Sequence, residues 1–260
     1  MGVPLSVVIL AKDERDRLPA ALESVRWADE VLVADTGSSD GTPDLARAAG
    51  ARVEEIPWEG YVASRRRALS LATHDWVFFL DADERVPEAL RDEIRAVLDT
   101  SGDVPAGLSM PRLSTLRGRP VRHGAWFPDV QLRIGRRSSG FRVTGGSVHE
   151  SFEAGGTIRR LATPLLHDPY RDLSDALRKA SVYARLAAAD RAAQGESAGV
   201  ATIAVRPVFE FLRSYLVKRG FLDGATGVSV AFLHGWYYFL RGAFLFEGER
   251  RRTGIETEER

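Results

Sequence analysis

A chain of 260 residues, 44% hydrophobic and 28% charged, has material for a sizeable core, as one large domain or one domain with an appendage. Its 36 basic residues balance its 36 acidic ones, so overall charge gives no reason to seek a nucleic-acid partner. The absence of cysteine excludes disulfides and thiolate metal sites. The opening MGVPLSVVIL lacks a basic leader and runs into a strand-like stretch, which predicts no signal peptide and a cytoplasmic protein.

The first hundred residues alternate. LSVVIL (5–10) predicts a strand and DRLPAALESV (16–25) an amphipathic helix. EVLVAD (30–35) predicts a second strand; TPDLARAAG (42–50) predicts a helix with Thr42 as N-cap, Pro43 at the first helical position and Gly50 as stop. A short strand RVEEI (52–56), a helix YVASRRRALSLA (61–72), a strand WVFFL (76–80) and a helix PEALRDEIRAVL (87–98) follow. Strands that are apolar almost throughout, alternating with helices, predict an α/β fold with a mostly parallel sheet covered on both faces. Beyond residue 100, short β-like runs (AGLSMPRL, VQLRI, FRV, SVHESFE, TIRRL) are separated by Gly and Pro, and from about 172 the pattern is helical. The final stretch, EGERRRTGIETEER, is charged.

Open α/β sheets bind ligands beyond the carboxyl ends of their strands. Three such ends carry polar clusters: AKDERD, DTGSSDGT and DADER. In the second, Asp35 is followed by small residues that let backbone approach a ligand, although alone this also reads as a polar β–α turn. In the third, Asp81 and Asp83 sit at i and i+2 directly after an apolar strand, where both can face one hard cation. Mg²⁺ or Mn²⁺ suits carboxylate and water ligands and bridges to phosphates. Acidic residues also favour helix entries, which accounts for Glu84 and Glu88 but poorly for Asp81.

Together, VVILAKDERDRLPAALESV, WADEVLVADTGSSDGT and HDWVFFLDADERV resemble family 2 glycosyltransferases of GT-A fold, and within them the bacterial lipopolysaccharide-core glucosyltransferases. The resemblance continues through GAWFPDVQLRI, VHESF, LLHDPYRDL and YARLAAA. It implies a Rossmann-like GT-A catalytic domain over 1–168, with a nucleotide-sugar half to about residue 100 and an acceptor half over 101–168. A helical region (169–248) and a charged tail (249–260) complete the expected organisation. It further implies that Ala11, Asp13 and Glu14 edge the base pocket and that Asp35 contacts uracil or ribose. Asp83 becomes the direct metal ligand, with Asp81 nearer the ribose. Where relatives commonly show Gln-Lys-Asn, this chain has Ser64-Arg65-Arg66, so Arg65 is the residue left to reach a diphosphate.

Glycosyl transfer needs a base for the acceptor hydroxyl, and a carboxylate is the usual agent. Glu150, after the Gly145–Gly146 pair, is the first candidate and Asp129 the second. His149 and Trp126 are candidates for holding acceptor; His167, after an apolar run, is a late metal or diphosphate ligand or else a satisfied core histidine. The stretch 228–246, VSVAFLHGWYYFLRGAFLF, is at the lower edge of a membrane span. With basic residues and aromatics interleaved nearby, it suits an interfacial helix on an anionic leaflet, or a helix packed on the core. The resemblance implies UDP-glucose as donor, a cell-envelope glycolipid as acceptor and a place on the inner face of the plasma membrane. Two other classes stay open. A sugar nucleotidyltransferase would want a glycine-rich cationic loop after the first strand, but AKDERDRLP has no glycine and three acids. A nucleotide-binding scaffold without catalysis would not need Asp35, Asp81 and Asp83 intact.

Overall fold

The computed structural model describes residues 2–100, 104–145 and 150–252; the side chains of Glu150 and of 249–252 are not among those described. The chain divides into two compact units, one of Met1–Leu113 with Asp129–His167, the other of Ser114–Pro128 with Asp168–Arg260.

In the first unit the alternation appears as β1 (Leu5–Ala11), α1 (Leu18–Ser24), β2 (Glu30–Asp35), α2 (Thr42–Ala48), β3 (Arg52–Glu55), α3 (Tyr61–Leu71) and β4 (Trp76–Asp81). After these come β5 (Glu84–Arg85), α4 (Glu88–Leu98) and β6 (Gly107–Leu116). β7 (Arg119–Pro120), which belongs to the second unit, turns back antiparallel on the end of β6. β8 (Asp129–Arg136), β9 (Arg142–Gly145), β10 (Glu150–Glu153), β11 (Ile158–Arg160) and β12 (Leu165–His167) complete the strands. The large sheet runs β3-β2-β1-β4-β8-β6-β12-β5, with β11 also on β6, while β9 and β10 form a separate hairpin. β1 to β4 are parallel, and β8 joins β4 antiparallel, so the sheet is mixed.

The apolar strands are buried on both faces because their side chains alternate. Val7, Ile9, Val33, Phe78 and Leu80 pack one way, with Leu18, Leu22, Leu90 and Ile94 of α1 and α4. Val8, Leu32, Ala34, Val77 and Phe79 pack the other way, with Ala68 of α3 and Phe141. Fully burying a side chain such as Phe78 or Phe79 contributes roughly 1.5–3 kcal/mol.

The start of α2 differs from expectation. Its N-cap is Gly41, at φ +87°, and Thr42 is already helical. The reason is that the threonine hydroxyl is engaged elsewhere: it donates to Asp40 Oδ1 at 2.6 Å and accepts the Glu14 N–H at 3.0 Å, tying the first two β–α loops together. A left-handed cap of this kind is available to glycine at little cost.

The second unit is helical, with α5 (Leu173–Ala193), α6 (Arg206–Leu212) and α7 (Gly224–Arg252). Asp172 caps α5 by accepting the Asp175 N–H. α6 lies between two π-helical turns, 201–205 and 213–217, which make 201–217 one helical run. α7 packs on α5 and α6, burying Val230, Ala231, Leu233 and Leu245. Its glycines permit this: a Cβ on Gly235 would come 2.9 Å from the Pro207 carbonyl oxygen, and one on Gly242 3.0 Å from that of Thr202. Its aromatics and cations meet internally, with the Arg241 guanidinium 4.4 Å and that of Arg206 5.3 Å from the Tyr238 ring centre. The 228–246 stretch is thus seated on the neighbouring helices of its own unit.

Candidate active site

Register places the site. Ala11 stands opposite Asp35, and Leu10 opposite Asp81, so the ends of β1, β2 and β4 lie abreast at the carboxyl edge of the sheet. Asp35 is 2% exposed and turned onto its own loop: Oδ2 accepts the N–H groups of Gly37 and Ser38, both at 3.0 Å, and Oδ1 accepts the Ser38 hydroxyl at 2.5 Å. Asp13, at φ +52°, accepts the Ser39 N–H at 2.8 Å and donates its own N–H to Ser38 Oγ at 2.9 Å. Glu14 donates its N–H to Thr42. Loops one and two therefore form one braced wall.

The acidic cluster after β4 is neutralised by arginines. Asp81 Oδ1 accepts from Arg65 Nη2 at 2.6 Å, and Oδ2 accepts from Arg133 Nη2 at 2.7 Å. The same Arg133 nitrogen donates to Glu84 Oε1 at 2.7 Å, while Glu84 Oε2 accepts the Asp81 N–H at 2.9 Å. Arg112 joins Glu84, at 3.5 Å, to Asp129, at 2.7 Å. Asp129 also accepts from Gln131 Nε2 at 2.5 Å. The cations that three carboxylates in four positions call for include guanidinium groups of this chain.

Burial pulls the two innermost acids in the same direction, but their partners separate them. It would raise Asp81, yet Arg133 and Arg65 outweigh it and hold that carboxyl well below the usual carboxylate range. Burial raises Glu84, and the neighbouring Asp81 charge adds to it, so Glu84 stays above its ordinary value despite Arg133. Asp81 keeps its charge; Glu84 is the member that takes a proton first.

Asp83 lies at the margin of this network. Its Oδ2 is 3.2 Å from Arg17 Nη1 and 3.7 Å from His167 Nε2. His167 is brought there by β12, where it pairs with Glu84 across the strands. Asp83 and His167 offer an oxygen and a nitrogen, each of a kind that could serve a divalent ion. Among the described residues, no three His, Asp or Glu side chains form a ready cage. Such a pair suits an ion that keeps waters and takes substrate oxygens for its remaining positions.

Of the residues expected from sequence, Ala11, Asp13, Glu14 and Asp35 share the strand-end wall, and Arg65, Asp81, Asp83, Asp129 and His167 share the charged cluster. Arg65 is spent on Asp81 here, its guanidinium 5.9 Å from the ring centres of Phe79 and Phe152. Trp126 belongs to the second unit, in a 3₁₀ turn against Tyr170, 5.5 Å between ring centres. Glu150 opens β10 opposite Gly145, but its side chain is not described, and His149 lies outside the described residues. Sequence reading missed Arg133, Arg112 and Arg17, and took Glu84 for a solvated helix-entry acid. The structure corrects this: Glu84 is fully buried in β5, because Arg133 receives it. No local signal marked it, since Arg133 falls on the polar phase of the alternating VQLRI strand.

Known proteins resemble this chain in sequence and in fold. Residues 6–160 match the family described as Glycosyl transferase family 2. The chain is 29% identical to the lipopolysaccharide core biosynthesis glycosyltransferase LpsC of Rhizobium meliloti, covering 89% of this chain and 90% of that one. It is 28% identical to an uncharacterised glycosyltransferase of Rickettsia prowazekii over 98% of this chain and 91% of that one. In fold it resembles S. aureus TarS 1-349, solved in complex with UDP-GlcNAc, at TM-score 0.50 and 14% identity over 97% of this chain and 92% of that one.

Proposed function

Since the chain belongs to glycosyl transferase family 2 and is a glycosyltransferase, we propose that it moves glucose from UDP-glucose to a sugar of a cell-envelope glycolipid such as the lipopolysaccharide core. The observation that carries the reading is the juxtaposition of Asp81 and Asp83 with the ends of β1 and β2, one edge bearing both a nucleotide wall and an acidic pair. The name of the Rhizobium relative supports the choice of acceptor.

In this reading Ala11, Asp13, Glu14 and Asp35 bound the base and ribose, with Asp81 held charged toward the ribose by Arg65 and Arg133. Asp83 and His167 would hold Mg²⁺ or Mn²⁺, which when bound supplies positive charge to the departing diphosphate. The acceptor oxygen attacks the anomeric carbon as the carbon–oxygen bond to the diphosphate breaks, and its proton passes to Glu150, or to Asp129 in its place. Direct displacement inverts the anomeric centre, as the family implies. Holding both substrates close together supplies orientation, and His149 is assigned to the acceptor. A UDP-sugar donor puts the reaction on the cytoplasmic side, at the inner face of the plasma membrane.

Incubation with UDP-glucose, Mn²⁺ and a core-truncated lipopolysaccharide tests the reading. Acceptor-dependent release of UDP with glucose in the glycolipid is expected. Transfer of another sugar in its place, or release of UDP without any product, would overturn it.

A further inference from the structure

The second unit displays an apolar row that the chain itself leaves uncovered. Val205, Val208, Phe209, Leu212 and Leu216 recur at i, i+3, i+4, i+7 and i+11 along the run 201–217, which puts them on one helical face. They are 44% to 62% exposed, where the opposite side of the same run buries Glu210 and Ser214 to 1%. Val217 at the end of the run, and Phe221 and Leu222 beyond it, are exposed as well. Exposed apolar side chains are ordinary singly; a continuous row of large ones marks a contact surface.

Charge decides among partners. Within 201–222 the charged residues are Arg206, Arg213, Lys218, Arg219 and a single acid, Glu210. Glu210 is turned inward and engages Arg206 at 3.0 Å and Arg213 at 2.8 Å, so the acid is offset and the exposed Lys218 and Arg219 leave the surface with a positive balance. In a protein of zero net charge, that is a local concentration and not a general property. A surface both apolar and cationic is matched by an anionic lipid leaflet, whose acyl boundary takes the apolar row and whose headgroups meet the long cationic side chains. A second copy of the chain presenting this same surface would set cations against cations.

We infer that 205–222 is an in-plane membrane-docking surface for anionic lipid. Among the described residues no helix is long and apolar enough to cross a membrane, and the contact proposed lies along the leaflet. The stretch 228–246, for which sequence left an interfacial role open, instead serves as the support: its Gly235 and Gly242 seat the 201–217 run and leave that run's other face outward. The inference gains its sense from the glycolipid-acceptor reading, because docking would bring a soluble donor and a lipid-borne acceptor together. It is tested apart from that reading.

The full chain is floated in density gradients with vesicles of phosphatidylcholine alone and of phosphatidylcholine mixed with phosphatidylglycerol. Flotation with the mixed vesicles, falling at high salt, is expected. Phe209→Ser with Leu216→Ser should weaken it by roughly tenfold for each residue. Lys218→Gln with Arg219→Gln, a pair of exposed residues chosen to leave folding intact, should remove the preference for phosphatidylglycerol. Binding of UDP, read by calorimetry on the same samples, should be unchanged in both pairs. Absence of flotation, flotation indifferent to both pairs, or a wild-type dimer that the apolar pair dissociates would overturn the inference. Loss of UDP binding in the wild type with flotation intact would overturn the donor assignment and leave the surface standing.

Discussion

Arg133 Nη2 donates to Asp81 Oδ2 at 2.7 Å across 52 residues of sequence. The strand that delivers the arginine is antiparallel to the one that ends in the aspartate, so the pair is fixed by sheet register and not by a loop. Arg133 is 5% exposed and Glu84, its other partner, is fully buried. Arg133→Met should therefore destabilise the chain by about 3–5 kcal/mol, since it strands the buried Glu84 carboxylate. Adding Glu84→Gln should restore more than half of that. Urea titrations of the single and double variants measure the coupling directly.

The two candidate bases separate by kinetics. If Glu150 accepts the proton, Glu150→Gln lowers kcat by about 10²–10⁴-fold with UDP affinity unchanged. Asp129 is already engaged by Arg112 and Gln131, so Asp129→Asn should cost less in kcat and more in stability. Steady-state kinetics together with unfolding curves for both variants distinguish the roles.

His234 should make the second unit acid-sensitive. Burial pushes its imidazole below the ordinary 6.5, although Glu210 pulls the other way; Arg213 and Lys218 reinforce the burial, and Tyr238 packs on the ring. A depressed folded pKa means that the neutral form is favoured on folding. Its contribution is complete above 6.5 and is lost as pH falls below that value, by at most about 1.4 kcal/mol per pH unit. His234→Gln should flatten the stability profile between about pH 6.5 and pH 5, above the range in which the depressed Glu210 titrates. A profile of unchanged slope would refute it.

A Cβ on Gly227 would meet the Gly220 carbonyl oxygen at 1.7 Å. Backbone must move to admit it, so Gly227→Ala should cost about 1–3 kcal/mol, where a favourable helix residue would otherwise stabilise α7. Thermal unfolding reads the difference.

The first hundred residues were legible because their strands are short, mostly apolar and alternate with helices. β2 falls on the expected residues, and β1 and β4 on theirs within one residue. Local spacing also exposed Asp81 and Asp83. What spacing could not give was their company: Arg133 and Arg112 arrive from antiparallel strands far along the chain, and Glu84 looked like a helix-entry acid because its partner is not local. The threonine taken as a cap was claimed by a neighbouring loop. In the helical unit, 228–246 drew attention through its apolar composition. The exposed row is on 205–222, whose partners only packing reveals.

On the proposed function, the acidic edge binds a nucleoside diphosphate through a divalent ion held by Asp83. Calorimetric titration of UDP into the wild type and Asp83→Ala, each with Mn²⁺ and with chelator, decides the point. Binding to the wild type should require Mn²⁺ and be weakened by roughly 100-fold or more in the variant. UDP binding of equal strength in Mn²⁺ and in chelator, or binding that Asp83→Ala leaves untouched, would contradict it.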